Sequence, residues 1–213
     1  MTVRLDLNIS LDGVAATTDQ TPANPMGADW GRLVAPYVAT RTFRERVLHV
    51  TTGEGTAGVD DRYATAYFEG VGAEIMGAGM FGFHTFPDDP DWRGWWGDEP
   101  PFQGLVLVLT HREHPPIDFG NGTRFEFLSV TPEHALERAT EHAGGGDIRI
   151  GGGVSVARDF LRAGLVDRVH VALTPIVIGR GVRLWDELHE LERNYTVTSE
   201  VAESGVIHVT FAR

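Results

Sequence analysis

Apolar and polar positions alternate from the start of the chain. Val3, Leu5, Leu7 and Ile9 are interleaved with Arg4, Asp6 and Asn8, and this period of two predicts a half-buried strand that Asp12-Gly13 ends. Residues 15–28 are small, polar and proline-containing, and read as a loop. The spacing from Asp29 to about Arg46 predicts a helix that Pro36 kinks or restarts. Residues 51–58 have no period and read as another loop. Asp60 or Asp61 then caps a helix reaching about Glu69. Ala73 to Met76 is a short apolar run between glycines, hence a buried strand. Leu105 to Leu109 is continuously apolar, as in a strand covered on both faces. Ile117–Phe119 and Phe125–Phe127 flank Gly120-Asn121-Gly122, the signal of a hairpin.

Thr131 and Pro132 suit the cap and first position of a helix that stops at Gly144-Gly145-Gly146. Ile148 to Ile150 then reads as a strand, Gly151-Gly152-Gly153 as a turn, and the following stretch to Ala163 as a helix. Val154, Ala157, Leu161 and Leu165 give that helix one apolar face, and Gly164 stands where a terminating glycine belongs. Val169, Val171 and Leu173 form a strand that Pro175 interrupts before Ile176–Ile178. Tyr195–Val201 and Val206–Phe211 close the chain as two more strands. Strands and helices alternating through the middle predict an α/β fold with a mixed, mostly parallel sheet flanked by helices. One stretch fits no element. Residues 84–103 carry Trp92, Trp95 and Trp96 among prolines and carboxylates, and read as a surface loop or a lid over a ligand.

Composition narrows the partners. A chain of 213 residues fits one domain spanning 1–213. Its net charge of −12 repels phosphate backbones and anionic lipid, so neither nucleic acid nor a membrane is expected as a partner. The absence of cysteine removes disulfides, thiolate metal sites and cysteine nucleophiles. The first six residues mix acid and base with no apolar run behind them, so the sequence reads as cytoplasmic, without a signal peptide.

The glycine triplet carries the most chemistry. Glycines let a backbone approach a pyrophosphate closely, and the free N–H groups and dipole of the following helix hold its charge without a lysine. The usual dinucleotide fingerprint is not met, because Val156 stands where its third glycine would be. Close strand–helix packing is the alternative role for the triplet. Two acidic residues are candidate proton sources beside a cleft. Asp12 otherwise serves its own turn, and Asp29 otherwise caps a helix. His111 and His114 precede Pro115-Pro116 in a loop, so no metal site is expected there. Gly153-Val154-Ser155-Val156-Ala157 loosely imitates a nucleophile elbow. With Asp167 or Asp186 and His189 or His208 following, it offers a rival reading as a serine hydrolase using Ser155.

Several segments share a resemblance. Val-Asp-Arg-Val-His-Val at 166–171, Thr-Pro-Ile-Val-Ile-Gly-Arg-Gly at 174–181 and Arg-Leu-Trp at 183–185 resemble the C-terminal reductase domain of riboflavin-biosynthesis deaminase-reductases. Ile150 to Leu165 resembles both that family and dihydrofolate reductase. Ser10-Leu11-Asp12-Gly13 resembles the start of these domains, and Ile75-Met76-Gly77 with Met80-Phe81-Gly82 resembles their cofactor-gripping strand and helix. The resemblance implies a dihydrofolate reductase-like, three-layer α/β/α domain. It implies NADPH, with NADH the alternative, lying across the strand ends. By the same resemblance Ile9 stands beside the nicotinamide and Gly77, Gly79 and Met80 at the middle. Thr110 and Arg112 fall on the adenosine side, and Ile150, Gly151, Gly152, Gly153, Val154, Ser155 and Val156 at the pyrophosphate. It further implies hydride transfer to a small heterocyclic substrate, pteridine-like or aminopyrimidine, and a homodimer. A non-catalytic ligand-binding protein on the same fold is the other alternative. The pattern departs from the relatives at Ala78, where dihydrofolate reductases carry arginine, and at Gly151, where the riboflavin reductases carry glutamate. Asp29 is a loose counterpart of dihydrofolate reductase's acidic residue.

Overall fold

The computed structural model describes all 213 residues. In chain order the elements are β1 (Val3–Ser10), β2 (Val14–Ala16), α1 (Trp30–Val38), α2 (Arg41–Arg46), α3 (Val59–Phe68), β3 (Val71–Gly77), α4 (Ala78–Phe81), β4 (Leu105–Leu109), β5 (Ile117–Asp118), β6 (Arg124–Leu128), α5 (Pro132–His142), β7 (Asp147–Gly152), α6 (Val154–Arg162), β8 (Arg168–Thr174), β9 (Val182–Arg183), β10 (Thr196–Val201) and β11 (Ile207–Ala212). The strand pairings are mixed and mostly parallel, so the α/β class expected from the alternation of elements is the observed one.

The chain gathers into two compact units, and the division runs through β1 between Leu5 and Asp6. The first unit holds Met1–Leu5 and Gly70–Asp167. Its strands lie in the order β1-β7-β3-β4-β6-β5, all neighbours parallel except the β5–β6 hairpin. Helices α5 and α6 pack on β3 and β7. Ala135, Ala139, Ala157 and Phe160 are the fully buried positions of the two helices, as their apolar spacing requires. A second apolar cluster joins Met76, Phe81, Phe83, Val106, Val108, Phe119 and Phe125, with Trp92 and Trp96 of the 84–103 stretch against it. That stretch contains no strand and no helix.

The second unit holds Asp6–Glu69 and Arg168–Arg213. Its strands run β10-β11-β8 antiparallel, with β1 beside β8, and α1, α2 and α3 pack on one another.

Several boundaries differ from the sequence expectation. Pro36 lies inside α1, and the break falls instead at Thr40, whose hydroxyl accepts from Phe43 N at 3.2 Å and starts a new helix. Gly58 precedes α3, while Asp60 and Asp61 occupy its first turn, where acidic charge favours a helix. Asp29 stands at the start of α1 but makes no capping bond. The triplet is not a turn throughout: β7 runs on through Gly151 and Gly152, and only Gly153 stands outside it. Ile176–Ile178 do not resume a strand, because Leu11 N donates to Ile176 O and Ile178 N donates to Asp12. The two short strands β2 and β9 pair with each other and are too brief to show any period. No helix is long and apolar enough to cross a membrane.

Candidate functional site

In the first unit, β4, β3 and β7 are parallel and end side by side. Leu109 is opposite Gly77, and Met76 is opposite Gly152. Carboxyl ends of parallel strands are where open α/β sheets bind ligands. Here they lead into α4, into α6 and into the Thr110–Arg112 segment.

The glycines at this edge serve different ends. A Cβ on Gly151 would stand 2.1 Å from Glu74 Oε1, so glycine there makes room for a buried carboxylate. Glu74 and Arg149 form an ion pair with Nη1 at 3.1 Å from both oxygens, at 4% and 9% exposure. Beside Gly151, which stands where the resemblance implies a glutamate, there is thus a buried carboxylate from β3. A Cβ on Gly77 would meet Val156 Cγ2 at 3.0 Å, so glycine lets α6 close on β3. Gly152 has φ = +126°, which only glycine adopts without strain. Gly79 makes room for the His84 ring, whose Nδ1 would lie 2.9 Å from an added Cβ.

Gly153 differs from these in what surrounds it. Its φ of −67° and ψ of −177° suit any residue, and an added Cβ would find only Met80 N, at 4.0 Å. It is the N-cap of α6, yet no side chain caps that helix and its first turn holds no acidic residue. The first turn of a helix presents N–H groups without intrahelical partners. Open space, an uncapped turn and a positive dipole end together fit an anion such as a pyrophosphate. Val154 is buried, Val156 half-buried and Ser155 exposed, so the turn is anchored by valines and bare at the serine. Ile150 is fully buried and holds β7 in place.

Around this edge, Met80 O accepts from Trp95 Nε1 at 2.8 Å and Phe81 O accepts from Trp92 Nε1 at 2.9 Å, which ties the 84–103 loop to α4. Thr110 Oγ1 accepts from Arg112 N. The Arg112 guanidinium donates to Pro87 O and pairs with Asp88 at 3.6 Å.

The remaining candidates belong to the second unit. Ile9 is 1% exposed on β1. Asp12 accepts from Ser10 Oγ at 2.7 Å, Gly179 N at 2.8 Å and Ile178 N at 3.1 Å. Those donors, the Ser10 hydroxyl first, hold its pKa down to about 2. Asp29 is clamped by Arg180 through Nε at 3.0 Å and Nη2 at 2.7 Å, and by Arg32 at 2.7 Å, and the Arg180 bond first lowers its pKa. Both carboxylates are therefore anions at neutral pH and act as acceptors that fix the 176–180 segment.

One cluster in this unit has no sequence signal. Asp60 Oδ1 meets His208 Nε2 at 2.9 Å, His208 Nδ1 meets His170 Nε2 at 3.0 Å, and His170 Nδ1 lies 3.5 Å from Asp6. Tyr63 stacks on both imidazoles, at 4.4 and 4.0 Å. Burial pushes His208 below the usual histidine range, against the pull of Asp60. These residues are scattered from 6 to 208, and only the fold assembles them.

The hydrolase reading loses its base here. Both nitrogens of His208 are engaged, and Asp167 accepts from Val3 N at 2.8 Å. His189 is exposed and faces Glu190.

Comparison with known proteins bears on the family and the fold. The family model described as the RibD C-terminal domain matches residues 1–207. None of the curated proteins matches the sequence. Among solved structures, one from Shewanella sp. PV-4, described under riboflavin biosynthesis, is 21% identical with a TM-score of 0.56, covering 100% of this chain and 99% of that one. RibD of Acinetobacter baumannii is 16% identical with a TM-score of 0.52, covering 99% of this chain and 57% of its own. The diaminohydroxyphosphoribosylaminopyrimidine deaminase/5-amino-6-(5-phosphoribosylamino)uracil reductase of Thermotoga maritima is 13% identical at 0.52, covering 99% and 56%. The chain thus spans just over half the length of these two proteins, and at such identities the likeness is one of fold.

Proposed function

The chain belongs to the RibD C-terminal domain family, and from that premise we propose that it is an oxidoreductase. It transfers a hydride from a reduced nicotinamide dinucleotide to a small heterocycle of the aminopyrimidine or pteridine kind. The observation that carries this reading is the bare first turn of α6 at Gly153, where an added Cβ would find open space.

The N–H groups of Gly153, Val154, Ser155 and Val156 would hold the pyrophosphate, with Ile150, Gly151 and Gly152 setting the height of the strand end. Gly77, Gly79 and Met80 would flank its middle, and Thr110 and Arg112 the adenosine half. When bound, the dinucleotide supplies the hydride. The protein's own part is orientation and exclusion of water, which is most of what hydride transfer asks of it. Asp12 and Asp29 are positioning residues in this reading. Held as anions by Ser10 and by Arg180 and Arg32, they keep the 176–180 segment in one shape. Neither holds a proton at neutral pH, so neither supplies the one that accompanies the hydride.

The test is calorimetric titration with NADH and NADPH, followed by the loss of nicotinamide absorbance with a panel of aminopyrimidines and pteridines. Tight nucleotide binding with turnover on one of them supports the reading. Binding with no turnover on any would favour a ligand-binding protein on this fold, and no binding of either nucleotide would end the proposal.

A further inference from the structure

Two imidazoles of the second unit touch each other and are buried against α3. The order is Asp60, His208, His170, Asp6, with contacts of 2.9 Å, 3.0 Å and 3.5 Å in turn. His208 is 3% exposed and His170 1%. Each of these three contacts needs one hydrogen. An ionised carboxylate brings none, and a neutral imidazole brings one. Two neutral rings therefore supply two hydrogens to three contacts. The contact left without one is at Asp6. His170 Nδ1 is buried and makes no hydrogen bond, and its gap to Asp6 is the widest of the three.

A third hydrogen has one place to go. On His170 Nδ1 it points at Asp6 and makes His170 an imidazolium, while the hydrogen between the rings still serves His208. No fourth can be added, because two ring nitrogens 3.0 Å apart share a single hydrogen. The surroundings favour one positive charge. From α3 come Asp60, the Tyr63 ring stacked on His170 and His208 at 4.4 and 4.0 Å, and the Tyr67 ring tilted on His170 at 5.8 Å. From β10 comes Glu200, opposite His208 and paired with Arg62 of α3. After β10 comes Glu203, which accepts from Val59 N at 3.0 Å. From β1 comes Asp6, and from α1 comes Tyr37, which lines a small cavity beside Asp60 and His208. A cation between carboxylates and against an aromatic face is attracted by both. Burial pushes His208 down, which keeps it the neutral member of the pair.

We infer that Asp60, His208, His170 and Asp6 are a proton latch. Uptake of one proton closes the contact at Asp6 and fastens α3 and β1 to β8 and β11. Its loss reopens that contact and loosens the second unit. The latch needs no bound nucleotide, and none of its residues belongs to the glycine turn.

The experiment follows the ring nitrogens of both histidines by 15N NMR from about pH 5 to about pH 9, with urea unfolding of the wild type and Asp6→Asn over the same range. The asparagine amide donates to His170 Nδ1 and fills the third contact with no proton taken up. In the wild type both rings should shift together through one step worth one proton. Below about pH 6.5 the unfolded chain binds two protons on these histidines, and well above it none, against one in the folded pair. Stability should therefore peak near that pH. On the alkaline side the unfolding constant should rise by about tenfold per pH unit until the folded pair releases its proton. Asp6→Asn should lose that alkaline limb and keep the acid one. The other histidines are common to both proteins and cancel in the difference. Rings that shift separately, a pair that stays neutral throughout, or an alkaline limb that survives in Asp6→Asn overturns the inference. Should Asp6→Asn not fold, the wild-type NMR decides alone.

Discussion

Gly153 is where the proposed function is most exposed to refutation. Gly152 looks the natural target from sequence, but its φ of +126° makes any side chain there a backbone lesion. At Gly153 an added Cβ finds open space out to Met80 N at 4.0 Å. The effect of a side chain there falls on a bound pyrophosphate. A Cβ at the mouth of the turn pushes the phosphate away from the Val154 and Ser155 N–H groups. Two charge-assisted hydrogen bonds at about 1.5 kcal/mol each amount to roughly 3 kcal/mol, or about 150-fold in Kd. Gly153→Ala and Gly153→Val should therefore lose nucleotide affinity in calorimetric titration while circular dichroism still shows a folded protein. The valine variant should lose at least as much as the alanine. Undiminished affinity in Gly153→Val, with an unchanged melting temperature, would refute the cradle and remove the main structural support for the reductase reading.

Other outcomes follow from the ion pairs. Glu74→Ala leaves the Arg149 charge without its carboxylate at 9% exposure and should cost about 3 kcal/mol in urea unfolding, whereas Glu74→Met with Arg149→Leu should cost clearly less. Equal losses for the single and double variants would show that the charge pairing is not what matters. Asp12 is held at about 2 against 3.8 when free, so its contribution is complete above pH 3.8 and is lost as pH falls from there toward 2. Solvent screening reduces that contribution to about 1 kcal/mol, and Asp12→Asn should lower stability by about that amount at neutral pH and flatten the acid limb. An unaltered acid limb would contradict the assigned cause.

The parts of the fold that were legible in sequence are those decided locally. Thr131-Pro132 starts α5 because a hydroxyl three residues from its N–H partner is fixed by the helix itself. Leu105–Leu109 reads as a covered strand because both faces must be apolar at once. The hairpin at Gly120–Gly122 is set by its own turn. What was not legible depends on distance along the chain. Asp29 and Arg180 are 151 residues apart, Asp60 and His208 148, and Glu74 and Arg149 75. No local pattern announces such partners. Asp29 therefore reads as a helix cap, although its oxygens go to guanidiniums. The glycine triplet is an intermediate case. Its presence before a helix is plain, but which member yields to Glu74, which takes a positive φ and which is left bare depends on neighbours from β3 and α4.

Net charge and local charge lead to different conclusions at the proposed site, and the scale of screening reconciles them. A chain at −12 repels anions at long range. At physiological ionic strength that field decays over about 8 Å, so carboxylates farther away contribute little at a phosphate in direct contact with backbone N–H groups. The α6 turn has no acidic residue and no capping side chain, and the carboxylate beside it, Glu74 against Gly151, is paired with Arg149, which leaves the N–H groups and dipole to act on the phosphate. A backbone cradle is therefore how an acidic protein can bind a pyrophosphate without basic side chains.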